Sequence, residues 1–80
     1  MRIPPDPEEL SKLARNAAAR GLPTLSLASI VALRLELDRL ELAVLEEARE
    51  RGATWGQLSI ATGRSKGAIE ARYRALRRRV

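Results

Sequence analysis

Apolar residues recur at helical spacing in four stretches of the chain, each bounded by cap and stop signals. The first opens on Asp6-Pro7-Glu8-Glu9. Asp6 is an N-cap residue, Pro7 suits the first helical position, and Glu9 completes a capping box. Leu10, Leu13 and Ala17 give this helix its apolar side, and Gly21 is expected to end it in the left-handed conformation. Leu22-Pro23 then predicts an extended break.

The second stretch predicts a long helix from about Ser26 to Arg51, capped by Thr24 or Ser26 and stopped by Gly52. At 1.5 Å per residue it would be roughly 40 Å long. It carries two apolar stripes. Ile30, Leu33, Leu37, Leu40, Val44 and Ala48 form one. Val31, Leu35, Leu42 and Leu45 form the other, about 120° round the axis, with Arg34, Asp38 and Glu41 between the two. A surface helix needs one such stripe, so the second needs a partner: the first helix or a second copy of the chain. The first helix is short and its apolar set is thin. The expectation is therefore a homodimer with Val31, Leu35, Leu42 and Leu45 at its interface.

The third and fourth helices are short. Thr54 and Gln57 form a capping box, and Leu58 and Ala61 are expected to face inward with Trp55. Ser59 is small where two helices must cross, and Gly63 supplies the positive φ of a turn. Ser65 caps the next helix, on which Ile69, Tyr73, Leu76 and Val80 make one apolar face. Two helices joined by a tight turn with glycine at its start are the signature of a helix-turn-helix. The fold class expected is all-α: about four helices in one domain over residues 1–80, with a long central helix and a C-terminal motif at 54–80.

Composition narrows the function. Eighty residues make room for a single small core. Cysteine and histidine are both absent, which excludes disulfides and removes the usual general base and the commonest metal ligands. Nothing resembles a phosphate loop, so neither an enzyme, a metal site nor a cofactor is expected. Residues 1–7 offer no apolar signal-peptide core and no run fits a membrane span, so the expected location is the cytoplasm, at the nucleoid. Residues 1–53 hold 8 basic and 9 acidic side chains, a net −1, whereas residues 54–80 hold 7 basic and 1 acidic, a net +6. Such asymmetry is the electrostatic footprint of a phosphate-backbone contact.

The same segment resembles known families. Trp55-Gly56-Gln57-Leu58-Ser59-Ile60-Ala61-Thr62-Gly63-Arg64-Ser65 is similar to the pattern Trp-x-x-Ile-(Gly/Ala)-x-x-Leu-Gly-(Ile/Val)-Ser of many small bacterial helix-turn-helix regulators. Ser65-Lys66-Gly67-Ala68-Ile69-Glu70-Ala71-Arg72 resembles the Ser-x-Gly-Thr-Val-Lys-Ser-Arg run of sigma factor region 4, a type of recognition helix shared with LuxR-type output domains. Thr62 stands where these families usually have Leu, and Arg64 where they usually have Ile or Val. Nothing upstream resembles sigma region 2.

These residues imply a recognition helix over 65–78 in the major groove of double-stranded DNA. With Ile69 toward the core, Gly67, Glu70, Ala71 and Arg74 face the bases, with Lys66 at the edge. Arg74 suits a guanine and Glu70 a cytosine amino group. Glu70 and Arg74 are also spaced to pair with one another at i, i+4. Thr54, Arg64, Ser65, Arg72, Arg77 and Arg78 are expected at phosphates. The function this implies is a dimeric, sequence-specific transcriptional regulator. A nucleoid-associated architectural protein is one alternative. An adaptor that binds RNA polymerase or a sigma factor through the long helix is another.

Overall fold

Asp6 sets the first helix boundary. It is extended (φ −64°, ψ 130°) and its carboxylate accepts from the Glu8 N–H at 3.0 Å, with Pro7 in the first turn. Glu9 does not close the expected capping box. The computed structural model describes residues 5–79 and builds them as four helices: α1 (Pro7–Ala19), α2 (Pro23–Glu50), α3 (Trp55–Thr62) and α4 (Lys66–Arg79). The protein is all-α, and no strand occurs among the described residues.

Two boundaries differ from the sequence expectation. Arg20, not Gly21, takes the left-handed conformation after α1, at φ 58°. That conformation costs an L-residue about 1 kcal/mol. The Ser26 hydroxyl compensates, accepting from the Arg20 N–H at 3.1 Å and donating to the Asn16 carbonyl at 3.4 Å. Ser26 therefore ties the two helices together at their ends and is buried, where a cap was expected. α2 begins earlier, at Pro23, because proline's fixed φ suits a first turn. The Leu22 carbonyl accepts from both Leu25 and Ser26 N–H at 3.0 Å. The stop at Gly52 is as expected. With φ 91°, Gly52 lets its own N–H reach the Arg49 carbonyl and the Ala53 N–H reach the Ala48 carbonyl, each at 3.0 Å. That double bond pattern closes the helix end in a Schellman motif.

The chain divides into two compact units, residues 1–40 and 41–80, and the division falls inside α2 rather than at the start of the C-terminal motif. The first unit holds α1 and the first part of α2. Its only buried described residues are Ser26 and Ser29; Leu10, Leu13, Ala17, Ile30 and Leu33 are half-buried. The second unit holds the last part of α2 with α3 and α4. Leu42, Leu45, Leu58, Ile69 and Leu76 form its core, flanked by Ala48, Ala53, Trp55 and Tyr73.

This core corrects the expected dimer interface. Leu42 (0 % exposed) and Leu45 (4 %) are taken up inside the second unit, because Leu58 of α3 and Ile69 and Leu76 of α4 cover that part of the stripe. Val31 and Leu35 remain exposed. Ala61 is exposed as well, against expectation, and Val80 lies outside the described residues. Among the described residues, no helix is long and apolar enough to cross a membrane.

Candidate nucleic-acid interface

α3 and α4 are held in place by their caps. The Thr54 hydroxyl accepts from the Gln57 N–H at 3.1 Å, and the Gln57 side chain accepts from the Thr54 N–H at 2.8 Å, so the expected capping box is complete. Gly63 ends α3 at φ 70°. The Ser65 hydroxyl accepts from the Ala68 N–H at 3.1 Å and starts α4.

Residues 63–65 make the turn, and polar bonds from Thr62 and Ser59 hold it. The Thr62 hydroxyl donates to the Leu58 carbonyl at 2.8 Å and accepts from the Arg64 N–H at 3.4 Å. The Ser59 hydroxyl donates to the Arg64 carbonyl. Ser59 thus bridges helix to turn, a role beyond the small size for which the sequence singled it out.

α4 has two unlike faces. Ile69 and Leu76 are fully buried, while Lys66, Gly67, Ala68, Ala71 and Arg74 are exposed. A Cβ added at Gly67 would meet nothing within 4 Å. Of the five residues expected to face bases, Gly67, Ala71 and Arg74 lie bare on this face. Glu70 is partly covered, and its carboxylate is 3.9 Å from the Arg74 guanidinium, so the i, i+4 pair is formed. Lys66 lies across the first turn of α3: its Cε sits 3.4 Å from where a Gly56 Cβ would stand. That places its ammonium near the N-terminus of α3, a position for a phosphate more than for a base edge.

The expected phosphate residues separate into two sets. Thr54, Ser65, Arg77 and Arg78 are exposed. Arg72 is not free for a phosphate. Its guanidinium makes a two-point bond to Glu41 of α2, Nε to Oε2 at 3.1 Å and Nη2 to Oε1 at 2.9 Å, with only 26 % of the side chain exposed. Arg72 stands three residues after Ile69 and four before Leu76, near the buried side of α4, and the fork of an arginine matches a carboxylate there. Arg64, about half exposed, stands 3.9 Å from the same Glu41.

Sequence reasoning missed a run of stacked side chains beside this face. The Arg49 guanidinium lies 4.6 Å from the Trp55 ring centroid and donates to the Ala53 carbonyl at 2.7 Å. Trp55 meets Tyr73 at 5.7 Å, tilted by 52°, and Arg77 covers Tyr73 at 5.5 Å. Trp55 and Tyr73 were expected in the core. They sit at its edge, each with a cation over the ring, a contact worth about 0.5–1 kcal/mol at such exposed sites. The five residues between Arg49 and Trp55 hide this in the sequence, because the Gly52 stop reverses the chain between them.

Comparison of the chain with protein-family models, curated proteins and solved structures finds no match.

Proposed function

We propose that α3, the turn and α4 act as a helix-turn-helix that binds double-stranded DNA, with α4 in the major groove, and that the protein regulates transcription. The observation that carries this reading is the asymmetry of α4: Ile69 and Leu76 are fully buried on one side, while Gly67, Ala71 and Arg74 lie bare on the other. A helix with small residues and one long cation on its free face admits close approach to base edges. Lys66, Arg77 and Arg78 flank that face and are suited to phosphates, as are the capped N-termini at Thr54 and Ser65. The net +6 over residues 54–80 supplies the long-range attraction.

One observation favours the architectural alternative. The Glu70–Arg74 pair, at 3.9 Å, engages the two side chains best suited to read bases. Sequence-specific binding requires the pair to open, or to act as one unit on a single guanine–cytosine step.

Selection of bound duplexes from a random DNA pool, followed by affinity measurements at two salt concentrations, tests both readings. A regulator enriches a defined site and binds it at least a thousandfold more tightly than a scrambled duplex, in the usual range for specific binding. Equal affinity for all duplexes selects the architectural reading. No binding at low salt overturns both.

A further inference from the structure

Residues 23–33, the first three turns of α2, contain no charged side chain. A helix segment without charge, whose only polar side chains are hydroxyls, has apolar surface to bury on more than one side. Here only one side is covered, at Ser26 and Ser29, each 7 % exposed. Leu25 (58 %), Leu27 (62 %), Val31 (57 %) and Leu35 (59 %) stand in solvent, with Leu22 (66 %) beside them in the link from α1. Leu27, Val31 and Leu35 recur every four residues, so they form one stripe.

No apolar side chain is buried among the described residues of the first unit. Forty residues without an apolar core do not hold helices in water, and small units of this kind gain their core by association. Side chains of this size carry about 100 Å² of apolar surface each, so the three of the stripe leave roughly 180 Å² bare, and Leu22 and Leu25, off the stripe, bring the total to roughly 300 Å². That total is a large part of the apolar area that one partner contributes to a standard interface of about 800 Å² per side.

We infer that the first unit is a self-association module: a second copy of this chain docks on the Leu27, Val31 and Leu35 stripe, so that α1 and the first turns of α2 from two copies share one helical-bundle core. Charge permits a second copy as the occupant. Residues 1–40 hold 6 basic and 5 acidic side chains, a net +1, so two such units meet without repulsion, whereas residues 41–80 carry a net +4. A two-fold contact is self-complementary, and each copy brings an equal bare stripe. The interface differs from the one read off the sequence, since it leaves Leu42 and Leu45 in the protomer core. It rests on the DNA-binding reading only for its consequence at DNA, where two copies of α4 would meet a two-fold site.

The test is made without DNA. The full chain is expected to sediment at twice its 8.8 kDa mass at micromolar concentration, and Leu35→Glu to sediment at the chain mass with its helical circular dichroism reduced but present. The chain has no cysteine, so single cysteines report proximity. Val31→Cys should yield a covalent dimer with a short bis-maleimide, and Ile60→Cys, 85 % exposed on α3, should not. A wild-type chain of monomer mass overturns the inference, as does unchanged dimer mass in Leu35→Glu or equal cross-linking at both cysteines. Should the charged variant unfold, the two cysteine proteins decide the matter, since Val31→Cys keeps the face apolar.

Discussion

Glu41 gathers the guanidinium of Arg72 at two points and stands within 3.9 Å of Arg64, so one carboxylate on α2 disciplines two of the cations beside α4. Removing Arg72 therefore removes a link between helices before it removes a DNA contact. Arg72→Ala should lower stability by about 1 kcal/mol, at the strong end for a partly exposed pair with two-point geometry. Urea unfolding checks this, and the salt slope of DNA binding should hardly change. Arg78, exposed and outside any pair described above, should behave in the opposite way. Arg78→Ala should leave the urea midpoint in place, weaken every duplex alike, and flatten the slope of log K against log salt by about 0.9. Arg74→Ala should instead cost about 1–3 kcal/mol on the selected site only, seen as lost preference at one base pair.

At the scale of elements, capping decides more than propensity. α3 has eight residues and cannot persist by itself. Thr54→Ala should cost about 1 kcal/mol by opening the capping box. Gly63→Ala should cost about as much through its positive φ alone, since a Cβ there meets no atom within 4 Å. Thermal melts of the two variants check both values. These two positions were legible in the sequence because a cap and a left-handed turn are local demands with few residue solutions. The same holds for Asp6 and Gly52. The stripes of α2 were legible only in part. Periodicity placed Leu35 and Leu42 on one face, and both look alike in a one-dimensional pattern. Burial separates them, since Leu42 is covered by residues far along the chain and Leu35 is not. Leu42→Ala should thus cost about 3 kcal/mol by leaving a cavity, while Val44→Ala, on a side chain 53 % exposed, should stay within about 0.5 kcal/mol. Arg72 escaped the sequence for the same reason: its partner lies 31 residues away on another helix.

For the whole molecule, the two units place different demands on the same long helix. The C-terminal unit owns every fully buried leucine and isoleucine among the described residues, and the N-terminal unit owns most of the exposed ones. Were both units independent of concentration, a melt would be too. If the N-terminal unit draws its core from a second copy, its melting midpoint rises with protein concentration, as mass action requires, and Leu35→Glu abolishes the rise. Scanning calorimetry over a wide concentration range reads this directly.

The contact between Trp55 and Tyr73 has one more consequence. They are the chain's single tryptophan and single tyrosine, one on α3 and the other on α4. Indole emission and tyrosine-to-tryptophan energy transfer therefore report on the C-terminal unit alone, with no aromatic emission from residues 1–40. Far-ultraviolet dichroism weights both units by helix length. An unfolding experiment followed by the two signals together separates the halves of this protein without cutting the chain or adding a label.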